Sequence, residues 1–111
     1  MAKTKTAELL QGALELLVLR LLRSQPLNGW DIMQRLKLVS GEVLNVTAGS
    51  LYPALHRLEA RGLVSAAWTL SENNRRARIY RITAAGRKQL DAERETWTRF
   101  STAVDTLLRN A

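Results

Sequence analysis

Gly49-Ser50-Leu51-Tyr52-Pro53-Ala54-Leu55-His56-Arg57-Leu58-Glu59-Ala60-Arg61-Gly62-Leu63 reads as a short helix closed by a glycine stop. Leu51, Leu55 and Leu58 recur at three- and four-residue spacing, which stacks them on one buried side. Gly49, Ser50, Pro53, His56, Arg57 and Ala60 fall on other sides. Several of these are small or uncharged, unlike an ordinary solvated helix face. Small groups, hydroxyls and an arginine together suit close approach to a groove. Thr47 is placed to cap the helix start. Gly62 supplies the left-handed stop, and Leu63 packs back after it. Pro53 leaves two readings of the start. The helix either begins nearer Ser50, with the proline in its first turn, or begins at Ala48 and tolerates a bend. In the second case the ring removes one hydrogen bond and presses on the carbonyl of Gly49.

The chain has 111 residues, 46% of them apolar, which suits one folded domain with a modest core. It has no cysteine, so disulfides, thiolate metal sites and cysteine nucleophiles are excluded, and a reducing cytoplasm is expected. The polar start, and Gln11, Glu15 and Arg20 within the first apolar run, argue against a signal peptide or membrane span. The net charge of +7 is uneven. Residues 57–88 carry eight basic and two acidic side chains, a local +6, whereas residues 89–111 sum to −1. Charge gathered in one segment points to a polyanionic partner.

A first helix is expected over residues 6–23, apolar nearly all round, so a second subunit is expected to cover its extra side. Gln25-Pro26-Leu27-Asn28-Gly29 reads as a turn, with Asn28 capping a second helix over 29–39. After Gly62, Val64, Ala66, Trp68 and Leu70 alternate with other residues as the inward face of a half-buried strand. Residues 78–82 form its partner, with Tyr80 and Ile82 inward. Between them lies a polar loop, 71–76, holding Asn74, Arg75 and Arg76. Trp30 and Trp68 are expected in the core. Thr83 caps a last helix over 84–109, in which Leu90, Glu93, Trp97, Phe100, Val104 and Leu107 form a heptad-like seam.

The chain is thus expected to be mainly α with a small β-hairpin. Residues 1–83 form a winged helix-turn-helix, and 84–111 a long C-terminal dimerisation helix. In such a fold the second helix of the turn unit enters the major groove, and the wing follows an adjacent backbone or minor groove. Thr47, Ser50 and Tyr52 are placed to hold phosphates. Ala48, Gly49, Pro53 and His56 can approach base edges, with Arg57 beside them. Asn74, Arg75, Arg76 and Arg78 form the basic wing tip. Most of the helix residues cannot make bidentate base contacts, so affinity should come mainly from phosphates. Leu10, Leu14, Leu17, Leu90, Trp97, Phe100, Val104 and Leu107 are the expected dimerisation residues. No nucleophile–base–acid set, phosphate-cradling glycine loop or cofactor motif is present, and the lone His56 is a poor metal or catalytic site. Non-specific architectural DNA binding and a winged-helix module for protein contacts remain alternatives.

Four motifs resemble PadR-family transcriptional regulators. The opening stretch is similar to that family's G-[ST]-L-Y-P-x-L-x-x-L-E-x-x-G-L core. Tyr80-Arg81-Ile82-Thr83-Ala84-Ala85-Gly86 resembles Y-x-L-T-x-x-G, with Ile82 for leucine. Gln11 to Leu19 matches the opening helix, and Pro26-Leu27-Asn28-Gly29-Trp30-Asp31-Ile32 the P-x-[HN]-G-Y-x-I turn, with Trp30 for tyrosine. The resemblance implies a homodimer, mostly a repressor, on a near-palindromic double-stranded operator, with the last helix driving dimerisation. It suggests Tyr52 as a phosphate donor; the alternative is a ring packed between helices. It also implies that Trp97 could line a pocket between subunits for a planar aromatic ligand, against the plainer reading of a buried seam residue. The chain looks like the short branch, without a large C-terminal effector domain.

Overall fold

A computed structural model describes residues 5–70 and 73–111, with side chains from residue 9 onward. Ser71 and Glu72 of the expected wing loop lie outside the described residues. The order is α1 (Lys5–Ser24), β1 (Leu27–Asn28), α2 (Gly29–Val39), α3 (Ala48–Ala60), β2 (Val64–Leu70), β3 (Arg76–Ile82) and α4 (Ala84–Asn110).

The leucine periodicity of α1 carries the core. Leu10, Leu14, Val18, Leu19 and Leu22 pack against Ile32 and Leu36 of α2, and Leu51, Leu55 and Leu58 of α3. Each helix start is set by a local cap. Asn28 Oδ1 accepts from the Asp31 amide at 2.8 Å, and Thr47 Oγ1 from the Ser50 amide at 3.2 Å. The Thr47 cap places Pro53 inside α3 rather than in its first turn, so the earlier of the two starts is the one adopted. Gly62 adopts φ of +72°, the left-handed stop the sequence required.

The expected turn at 25–29 contains β1, which pairs antiparallel with β3 through Leu27 opposite Tyr80. The expected β2–β3 hairpin is therefore joined by a short third strand, in a sheet ordered β1-β3-β2. Two residues carry no readable alternation; this strand exists only because the edge of β3 is there to pair with.

α4 is anchored at its start. The Thr83 hydroxyl donates to the Gly62 carbonyl at 2.7 Å and accepts from the Gly86 amide at 3.0 Å. A Cβ on Gly86 would overlap the carbonyl oxygen of Leu63, so this turn approaches the α3–β2 corner as closely as backbone can. Leu90 is fully buried; beyond it the helix continues along α1 with most of its surface exposed.

Two expectations need correction. Leu10, Leu14 and Leu90 lie in the chain's own core and have almost no surface to offer a partner subunit; Leu17 is half-buried. Trp97, Phe100, Val104 and Leu107 of the same set are exposed. Trp30 and Trp68 are not core residues but 63% and 56% exposed. The inward face of the hairpin is buried only at its root, at Val64 and Tyr80. The strands outrun the helical core, so Leu70 is left uncovered and Trp68 is covered only in part, by side chains of the wing and its cleft.

Candidate nucleic-acid interface

With Leu51, Ala54, Leu55 and Leu58 buried, the 100° step of a helix turns Gly49, Pro53 and His56 outward. Thr47, Ala48, Gly49, Ser50, Tyr52, Pro53, His56 and Arg57 are all exposed. The two flanks of this face are occupied differently. On one, Arg57 Nε donates to Glu15 Oε1 at 3.4 Å, and Arg61 lies 3.9 Å from the other carboxylate oxygen. Arg57 is thereby drawn toward α1, although its side chain stays largely exposed. On the other flank, Tyr52 packs its ring over Gly29. A Cβ there would strike the hydroxyl and ring, so the glycine at the start of α2 makes room for the tyrosine of α3.

Tyr52 and His56 share a cleft of about 420 Å³ with the wing. Trp30 and Asn28 line one side, and Trp68, Arg76, Arg78 and Tyr80 the other. Arg78 departs from its expected place at a flexible tip. It sits on β3, half-buried, and its Nη2 donates to Glu59 Oε2 of α3 at 2.8 Å. Its Nε is buried without a hydrogen-bond partner among the described residues. Arg76 is the first residue of β3, and its guanidinium lies over the Trp68 ring, 4.8 Å from the centroid. Asn74 and Arg75 are exposed at the tip, where Asn74 turns the chain with φ of +57°. Burial raises the Tyr80 hydroxyl above its ordinary pKa, and the Arg78 cation beside it opposes that rise.

Sequence reasoning missed the two exposed tryptophans and the acidic partners Glu15 and Glu59. One signal was available: Trp68 stands directly across the hairpin from Arg78, and a wholly buried strand pair would not place an arginine there.

A second concavity, of about 540 Å³, lies between α1 and α4. Trp97 and Phe100 line it, with ring centroids 6.0 Å apart, together with Glu15, Gln89 and Glu93. Among the described residues no group of three or more potential metal ligands occurs, and no helix is long and apolar enough to cross a membrane.

Residues 18–92 match the Transcriptional regulator PadR-like family. A PadR-like transcription factor from Bacteroides fragilis is 30% identical with a TM-score of 0.73, covering 90% of this chain and 94% of that one. A PadR family regulator from Eggerthella lenta is also 30% identical, with a TM-score of 0.79 over 94% of this chain and 88% of that one. Among curated proteins, an uncharacterised 37.1 kDa protein in transposon TN4556 of Streptomyces fradiae is 41% identical over 81% of this chain. Transcriptional regulator Rv3488 of Mycobacterium tuberculosis is 47% identical over 44% of it. The chain spans only 24% and 45% of the lengths of these two relatives. With a family match over most of its length, and a fold shared with solved members, the chain belongs to the PadR-like family of transcriptional regulators, which are not enzymes.

Proposed function

We propose that this chain is a homodimeric, sequence-specific DNA-binding regulator that acts as a repressor on a near-palindromic operator and is relieved by a planar aromatic ligand. In this reading residues 1–83 bind DNA and residues 84–111 form the dimerisation helix. The observation that carries the DNA reading is the shared cleft: the exposed side of α3 and the basic strand of the wing face one space. The first turn of α3, with the Thr47 and Ser50 hydroxyls, offers donors to phosphate. Arg75 and Arg76 neutralise backbone charge. Ala48, Gly49, Pro53 and His56 meet base edges with few bidentate contacts, so half-site spacing and DNA shape share the specificity.

The dimer is supported by the exposed apolar stripe of α4, where Trp97, Phe100, Val104 and Leu107 lie uncovered. A two-fold partner presenting the same helix would bury them. The ligand reading is supported by the groove beneath Trp97, whose lining holds no basic residue and two carboxylates, Glu93 and a Glu15 shared with Arg57 and Arg61. That chemistry suits a planar aromatic cation.

Selection from random duplexes with the purified protein tests the first claim. Recovery of one near-palindromic site supports it, together with a log K that falls steeply with log salt, as expected when roughly six to ten phosphates are neutralised. Binding with the same slope but no preferred site replaces it with an architectural role, and no duplex affinity leaves a protein-contact module. A reporter driven from the selected site separates repression from activation. Tryptophan emission during titration with planar aromatic cations, in wild type and Trp97→Ala, tests the ligand site.

A further inference from the structure

Trp68 stands in the middle of a chain of contacts that leads from α3 into the wing. Glu59 on α3 accepts from Arg78 at 2.8 Å. The Arg78 guanidinium carbon lies 5.8 Å from the Trp68 ring centroid, and that of Arg76 lies 4.8 Å from it. The register explains this. Trp68 is opposite Arg78 and Leu70 opposite Arg76, so the indole and both guanidinium groups share one face of the hairpin. The indole is 56% exposed, so hydrophobic burial does not account for its place.

The two arginines differ in what they have left to give. Arg78 commits donors to Glu59 and is the anchor. Arg76 has no carboxylate within ion-pair distance among the described residues. A guanidinium stacked on an indole uses its flat face and keeps its N–H donors in plane, open to another acceptor.

We propose that Trp68 is a positioning residue for DNA binding. It clamps Arg76 at a set height over the cleft and so presents that cation to the sugar–phosphate backbone in register with Tyr52 and His56. This rests on the DNA-binding reading above. An arginine on a loose tip must give up rotamer freedom when it grips a phosphate, whereas one already held by an indole has given up part of it beforehand. The Glu59–Arg78–Trp68–Arg76 series ties the wing's charge to the recognition helix.

The test is a double-mutant cycle on the full chain, read by fluorescence anisotropy with a mixed-sequence duplex across a salt series. Trp68→Leu should weaken binding roughly five- to tenfold at low salt and flatten the salt slope as much as Arg76→Ala does, by about one unit for each phosphate no longer neutralised. Trp68→Phe, which keeps an aromatic face, should retain most of the affinity. Trp68→Leu added to Arg76→Ala should cost nothing further. Additive losses, or an unchanged slope in Trp68→Leu, would overturn the positioning role while leaving DNA binding intact. Failure of the wild-type chain to bind any duplex would instead remove the DNA-binding reading and this inference with it. In the free protein, the Arg76 side-chain protons should show an upfield ring-current shift that Trp68→Leu abolishes; its absence in wild type also overturns the proposal.

Discussion

Replacing Phe100 by alanine is expected to weaken self-association by between two and three orders of magnitude while leaving each protomer folded. Phe100 is 60% exposed on α4, touching Trp97 at the edge of the α1–α4 groove. Fully burying such a side chain is worth up to about 3 kcal/mol. Covering the fraction still exposed is therefore worth roughly 1.5–2 kcal/mol. A two-fold interface buries it once from each subunit, for about 3–4 kcal/mol in all. At about 1.4 kcal/mol per tenfold, the dissociation constant rises by the stated factor. Sedimentation equilibrium over a wide concentration range measures it. Leu90→Ala is the control. Leu90 is fully buried within the protomer, so its truncation should cost about 2–5 kcal/mol of folding stability and act on the melting temperature first. An unchanged dissociation constant in Phe100→Ala, or a wild-type chain that stays monomeric throughout, would refute the assignment of this face to a dimer.

Gly86→Ala should lower the melting temperature, because the new methyl meets the Leu63 carbonyl and lies 2.7 Å from Ile82 Cγ1. Overpacking of that kind costs about 1–3 kcal/mol, more than the helix propensity gained, and a differential scan that finds a rise would contradict the close approach. Glu15→Gln should scarcely change stability, since its arginine partners are about half exposed. It should raise low-salt duplex affinity a few-fold by releasing Arg57 and Arg61, and an affinity that falls would show that Glu15 holds Arg57 in its working position. Tyr80 holds its proton more tightly folded than unfolded, so its contribution is fully present below the ordinary value of 10.0 and is lost as pH rises through the raised folded pKa. Chemical denaturation of wild type and Tyr80→Phe at increasing alkalinity should show a steeper decline in wild type; parallel curves would dismiss the effect.

Much of the fold was legible because its determinants lie within a few residues of each other. The cap at Thr47, the stop at Gly62 and the cap at Thr83 are local hydrogen-bond and dihedral events, and the sequence alone placed all three. The leucine spacing of α3 likewise decided which side is buried, and hence which side is free to meet a groove. The place of Pro53 stayed open in the sequence because a proline favours a first turn, which argues for a start nearer Ser50, against the Thr47 cap, which argues for Ala48; in the folded chain the cap prevails.

What the tertiary structure decided was exposure and pairing. The seam of leucines and aromatics along α1 and α4 is one pattern in sequence, yet Leu10, Leu14 and Leu90 close the protomer while Trp97, Phe100, Val104 and Leu107 stay open. The divide falls past Leu90, where α4 faces α1 across an open groove, a spacing that no local rule encodes. The same cause exposes Trp68, since a period of two says which face a side chain takes but not how far the covering layer reaches. Arg57 and Arg78 look alike as cations in a basic segment. Only the folded chain brings Glu15 and Glu59 beside them, 42 and 19 residues away, and leaves Arg76 stacked on Trp68 instead.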